Sequence, residues 1–125
     1  MSEFDATFKS LGLPWVHGSY YRTDHFPTAA AAQLLGSAKL PARYNAKALL
    51  VKGAAPGHML YTPGAESVTQ SLVFAPTPVA DTNEAAVALA PCSGGGWVGY
   101  VGDVNGEEET SAVVLAMAQK AYSRQ

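Results

Sequence analysis

Residues 94–125 constrain the fold most, because strand patterning there gives way to helix patterning across one acidic turn. The run 97–102 is apolar and follows Gly94, Gly95 and Gly96. Asp103 or Asn105 can then accept hydrogen bonds from the first free backbone N–H groups of a helix. Glu107, Glu108 and Glu109 fall in its first turn, where each favours the positive end of the helix dipole by ~0.3–1 kcal/mol. Val113, Val114, Met117 and Ala121 form an apolar stripe, and Lys120 and Arg124 stand at the negative end. A helix with one apolar stripe needs a surface to lie on, so the rest of the chain has to supply a sheet.

Upstream, short elements fit that need. Phe4, Phe8 and Leu11 recur at helical spacing until Gly12 and Pro14 stop them, which predicts a helix over 4–11. The aromatic and polar run 15–25, with Gly18 inside it, reads as strand or ordered loop. Thr28 caps a short helix through 29–32 that ends at Gly36. Residues 37–45, with Pro41, read as loop. The runs 46–52, 58–62 and 71–75 read as strands, parted by turns at 54–57, at Pro63 and Gly64, and at Pro76 and Pro78. The runs 85–90 and 97–102 pair as a hairpin across the glycines. The expected fold is a single domain over 1–125, α+β or α/β, with a mixed sheet of about five to six short strands and a C-terminal helix packed on it.

Size and charge narrow the function classes. The 125 residues suit one domain. A net charge of −2 provides no basic footprint for nucleic acid. No apolar run approaches the ~18 residues of a membrane span. The start Met1-Ser2-Glu3-Phe4-Asp5 lacks the basic and apolar regions of a signal peptide. The lone Cys92 excludes an internal disulfide and fits a reducing, cytoplasmic setting. Charged residues make up 14% of the chain, against roughly a quarter in a typical soluble domain. That shortage, with two tryptophans and six tyrosines, suits a partner-covered surface, so a homo-oligomer or a protein partner is expected.

Two stretches carry a family resemblance. Trp15-x-x-Gly18-x-Tyr20-x-Arg22-Thr23 is one, and the run 99–108 ahead of an apolar helix is the other. Together they resemble the C-terminal half of uncharacterised fungal proteins, similar in turn to the class I glutamine amidotransferase-like group of the trehalose-utilisation type. The runs 46–52, 58–63 and 72–78 are consistent with the same half, so the likeness spans most of 11–118. The resemblance implies a flavodoxin-like α/β domain, here shortened by its N-terminal part. It also implies a nucleophilic cysteine in a sharp strand-to-helix turn, with a histidine later in the chain.

Each chemical motif meets a plainer alternative. Cys92, in Ala90-Pro91-Cys92-Ser93-Gly94, occupies the one possible nucleophile turn. A strand pattern follows it, and His17, His25 and His58 all precede it. Gly94-x-Gly96-x-x-Gly99 matches a dinucleotide fingerprint in letters but opens onto a strand, so a hairpin turn explains it. Asp103-x-Asn105-x-Glu107 begins like a calcium loop, yet Glu108 takes the place of its glycine and Val114 that of its last carboxylate. Helix capping explains the same residues. His17 and His25 can act as acid or base but lack the neighbours of a metal site, and His58 reads as solvent-facing.

The densest polar cluster is His17, Tyr20, Tyr21, Arg22, Asp24 and His25. In an extended segment Tyr20, Arg22 and Asp24 share one side, with Tyr21 and Thr23 on the other. Tyrosine, arginine and aspartate together can hold and polarise an anionic or carbonyl-bearing ligand. A surface Arg22–Asp24 pair is the alternative. Three functions compete. The first is a non-catalytic or homodimeric module that binds a small organic ligand or a protein partner. The second is a cofactor-independent enzyme of secondary metabolism, with catalytic residues Tyr20, Arg22, Asp24 and His25 beside Asp103 at a strand mouth. The third is an amidotransferase-like hydrolase through Cys92. None calls for a metal or cofactor.

Overall fold

The computed structural model describes residues 2–36, 39–71 and 73–123. Local capping sets the first two helices. Ser2 accepts from the Asp5 N–H and opens α1 (Glu3–Ser10), which stops at Gly12 with φ +78°. Thr28 accepts from the Ala31 N–H and opens α2 (Ala29–Leu35), which stops at Gly36 with φ +57°. Between them the 15–25 segment resolves as a strand, β1 (Val16–Pro27). It is followed by β2 (Tyr44–Lys52), a short 3-10 turn at 56–58 and β3 (Met59–Pro63). A two-stranded ribbon, β4 (Val68–Thr69) with β5 (Thr77–Pro78), forms a second small sheet against β1, where the Thr23 hydroxyl donates to the Val68 carbonyl at 2.7 Å. The hairpin β6 (Val87–Pro91) and β7 (Trp97–Val101) leads to α3 (Glu108–Ser123).

The main sheet has five strands in the order β2-β1-β3-β6-β7, all paired antiparallel. The α+β expectation therefore holds, with the C-terminal helix packed on the sheet. The mixed, flavodoxin-like strand arrangement does not: such a sheet is parallel, whereas here successive strands turn back on one another. Ser71 and residues 73–75 of the expected 71–75 strand are not a strand either. The Ser71 hydroxyl accepts from the N–H groups of Val73 at 3.0 Å and Phe74 at 3.2 Å, so a side chain replaces the ladder and both apolar side chains face solvent. Leu72, Arg124 and positions 37–38 lie outside the described residues.

The sheet curls until β2 meets the base of the β6–β7 hairpin. Val51 and Ala85 exchange two backbone hydrogen bonds of 2.9 Å. The Leu49 N–H donates to the Gly102 carbonyl at 3.1 Å, and the Val104 N–H to the Lys47 carbonyl at 2.9 Å. A Cβ at Gly102 would sit 2.1 Å from the Leu49 oxygen, so only glycine lets the two segments approach. Helices cover both faces. α2 and α3 bury Leu35, Tyr44, Leu60, Leu89, Val113 and Met117 on one side. α1 buries Phe8, Trp15, Val51 and Ala88 on the other. β6, covered on both faces, is buried from Val87 to Ala90 without alternation.

Candidate functional site

The pleat of β1 divides the polar cluster. Arg22 and Asp24 point to the outer side and meet at one residue of β2, Asn45. The Arg22 guanidinium donates to Asn45 Oδ1 at 2.7 Å and to Glu107 Oε1 at 3.2 Å. Asn45 Nδ2 donates to Asp24 Oδ1 at 3.1 Å and to Gln70 Oε1 at 2.7 Å. This network ties β1, β2, the ribbon and the start of α3 together, and it engages both terminal nitrogens of Arg22. Tyr20 lies further along the same side, exposed, with the Lys47 ammonium 5.2 Å from its ring centroid.

His25 faces the opposite way and is fully buried. Its Nε2 lies 3.2 Å from the Ala46 carbonyl, its Nδ1 has no protein partner, and its ring packs against Tyr44 at 6.0 Å. Burial pulls its pKa below 6.5, against the Ala46 carbonyl and the nearby Asp24 and Asp103 carboxylates, which favour the charged form. Asp103 serves the entry to α3. One oxygen accepts from the Asn105 N–H at 2.9 Å, the other from the Glu107 N–H and the Thr110 hydroxyl at 2.6 Å each. Burial raises its pKa, but the bonds from Thr110 and from the backbone of Asn105, Glu107 and Gly106 prevail and hold it below the ordinary carboxylate value. The structure thus joins Arg22 to Asp24, brings Asp103 into the surroundings of His25, and leaves Tyr20 apart.

The other motifs fall into place as structure. Gly94 and Gly95, with φ near +91°, form the hairpin loop. The Cys92 N–H donates to the Gly96 carbonyl at 2.9 Å, so a turn and β7 follow the half-buried thiol where a nucleophile turn would have a helix. The His17 ring meets the Asp5 carboxylate at 3.1 Å at the sheet's outer end. Among the described residues no group of three or more histidine, cysteine, aspartate or glutamate side chains is placed to hold a metal. No helix among them is long and apolar enough to cross a membrane.

Two features escaped sequence reasoning. Glu84 is almost wholly buried, and its carboxylate accepts from the Ser19 N–H at 2.7 Å and the Ser19 hydroxyl at 2.9 Å. It fills the irregularity in β1 between His17 and Tyr20, against Gly18, beside the partnerless buried hydroxyl of Tyr21. Nothing local marks this glutamate as internal. The second is a groove of about 340 Å³ between β7 and α3, lined by Leu89, Trp97, Gly99, Val101, Val114, Met117, Ala118 and Ala121. Its floor is open because Gly99 has no side chain: a Cβ there would touch Met117 at 3.5 Å and Leu89 at 3.7 Å. The glycine inside a strand pattern was its sequence signal.

Fold and geometry define a small α+β protein with a curled antiparallel sheet and an apolar groove at one edge. No protein-family model, curated protein or solved structure matches the chain.

Proposed function

We propose that the chain is a non-catalytic binding module whose working surface is the groove between β7 and α3. The observation that carries this reading is the continuity of apolar surface there. Beside the groove, α3 leaves Val114 47%, Leu115 60% and Tyr122 79% exposed, and the ten residues 110–119 carry no charge. Contiguous apolar surface of this kind costs solubility and is characteristic of binding sites. Arg22, Asp24 and Asp103, by contrast, are engaged in bonds that hold elements together. An open groove with apolar walls suits side chains of a protein partner, or an apolar organic ligand.

The test uses an apolar fluorescent probe, anilinonaphthalene sulfonate, titrated into dilute protein. Trp97 lines the groove while Trp15 is buried elsewhere, so occupancy is also read as a change in tryptophan emission. Gly99→Leu fills the floor and should weaken probe binding at least ten-fold while far-ultraviolet circular dichroism stays native. Equal binding by the wild type and a natively folded Gly99→Leu variant would overturn the proposal.

A further inference from the structure

We infer that the occupant of the groove is the same face of a second copy of this chain, joined by antiparallel pairing of β7 with β7 about a two-fold axis through Gly99. The inference rests on the groove being a binding surface and specifies its partner.

The first ground is an open sheet edge. Among the described residues, the β2 edge is covered by residues 85 and 102–104, whereas β7 pairs with β6 alone. The Gly102 N–H donates to Ala86 and the Cys92 N–H to Gly96, bracketing the hairpin ladder. Alternation between those bonds turns the polar groups of Val98 and Tyr100 toward β6 and those of Trp97, Gly99 and Val101 outward. Natural edge strands are usually blunted by lysine, proline, charge or a bulge. β7 reads Trp97-Val98-Gly99-Tyr100-Val101 and has none of these.

The second ground is self-complementarity. A two-fold axis at Gly99 sets Trp97 opposite the partner's Val101, and Gly99 opposite the partner's Gly99. All three residues present their backbone groups outward, so every free N–H meets a free carbonyl without a slip in register. The missing side chain at Gly99 removes bulk where the two copies come closest.

The third ground is α3. The Lys120 ammonium lies 5.9 Å from the Trp97 ring centroid, and Met117 is the neighbour of Gly99, so α3 runs antiparallel to β7 with Ala118 beside the axis. The two helices then pack side by side, Ala118 against Ala118, with Val114 and Leu115 of each copy near Tyr122 of the other. The charge-free run 110–119 lets two identical faces meet without like-charge repulsion. A strand of five residues and a similar number from α3 is about half of the ~20–30 residues a side in a standard interface. Association in the micromolar range or weaker is expected.

Sedimentation equilibrium over about 1 to 500 µM should show a reversible monomer–dimer equilibrium. Ala118 is exposed in the single chain, so Ala118→Glu and Ala118→Lys leave the fold intact, as unfolding curves will verify. Each variant alone sets like charges across the axis and should weaken dimerisation at least ten-fold. An equimolar mixture of the two should restore it as a heterodimer, which a merely structural effect of either substitution would not do. A wild-type chain that stays monomeric while the apolar probe still binds its groove overturns the dimer and leaves the binding reading standing. A monomer that binds no probe overturns both. Dimerisation undiminished in Ala118→Glu, or a mixture no better than its parts, places the interface elsewhere and refutes the inference.

Discussion

Glu84 is the most demanding test of how this fold holds together. Glu84→Ala removes the acceptor of two hydrogen bonds, from the Ser19 N–H at 2.7 Å and the Ser19 hydroxyl at 2.9 Å. Hydrogen bonds to a charged acceptor contribute about 1.5–3 kcal/mol each. Ser19 is half-buried, so water recovers part of that loss, and relief of carboxylate burial offsets more. A net loss of about 2–4 kcal/mol follows, or a fall in Tm of roughly 6–15 °C for a chain of this length. Glu84→Gln keeps one acceptor and the shape and should lose less than half as much. The assay is urea unfolding followed by circular dichroism, with unchanged m-values confirming a common transition. A double-mutant cycle with Ser19→Ala should return a coupling of about 0.5–3 kcal/mol. If Glu84→Ala unfolds within about 0.5 kcal/mol of the wild type, the claim that this carboxylate anchors the β1 irregularity is wrong.

Other expectations address the remaining buried features. His25 has a folded pKa below its unfolded value near 6.5, so the unfolded chain takes the proton first. Stability is therefore full above about pH 6.5 and falls as pH drops toward the folded pKa, with a slope of at most ~1.4 kcal/mol per pH unit. His25→Phe should flatten that slope between pH 6.5 and 5 in urea titrations; an unchanged slope would assign the acid sensitivity to other groups. Gly102→Ala, whose Cβ would lie 2.1 Å from the Leu49 oxygen, should open the sheet closure and cost at least ~2 kcal/mol, read by amide exchange at Leu49 and Val104. Asp103→Ala should cost about 1–2 kcal/mol and speed amide exchange at Asn105 and Glu107; exchange unchanged at both would refute its role in holding the turn that leads into α3.

Local signals were legible wherever one segment satisfied itself. Thr28 and Gly36 bound α2 as their chemistry predicts, and the glycines 94–96 turn the β6–β7 hairpin. The pleat also separated Tyr20, Arg22 and Asp24 from Thr23, as alternation required. The candidate site was less legible. Asn45 and Glu107, which bond Arg22 and Asp24 directly, lie 21 to 85 residues from them in the chain, and Gln70 joins the network through Asn45. Val114 belonged to the apolar stripe in sequence but lies exposed, because α3 sits at the sheet's edge and Val113, Ala116 and Met117 take the buried positions.

By itself the sequence determined the kind and order of most elements, since caps, turn glycines and hydrophobic periods act within a few residues. It also determined the charge-poor face of α3. Tertiary structure alone decided how the sheet curls, for closure joins residues 47–51 to 85 and 102–104 through backbone bonds to which side-chain patterns are blind. That closure places Glu84 inside, 65 residues from the serine that satisfies it, and, among the described residues, leaves β7 as the open edge. The physical reason is the same in both cases: a buried acceptor and an unpaired edge are defined by what lies across from them, and only the folded chain specifies that neighbour.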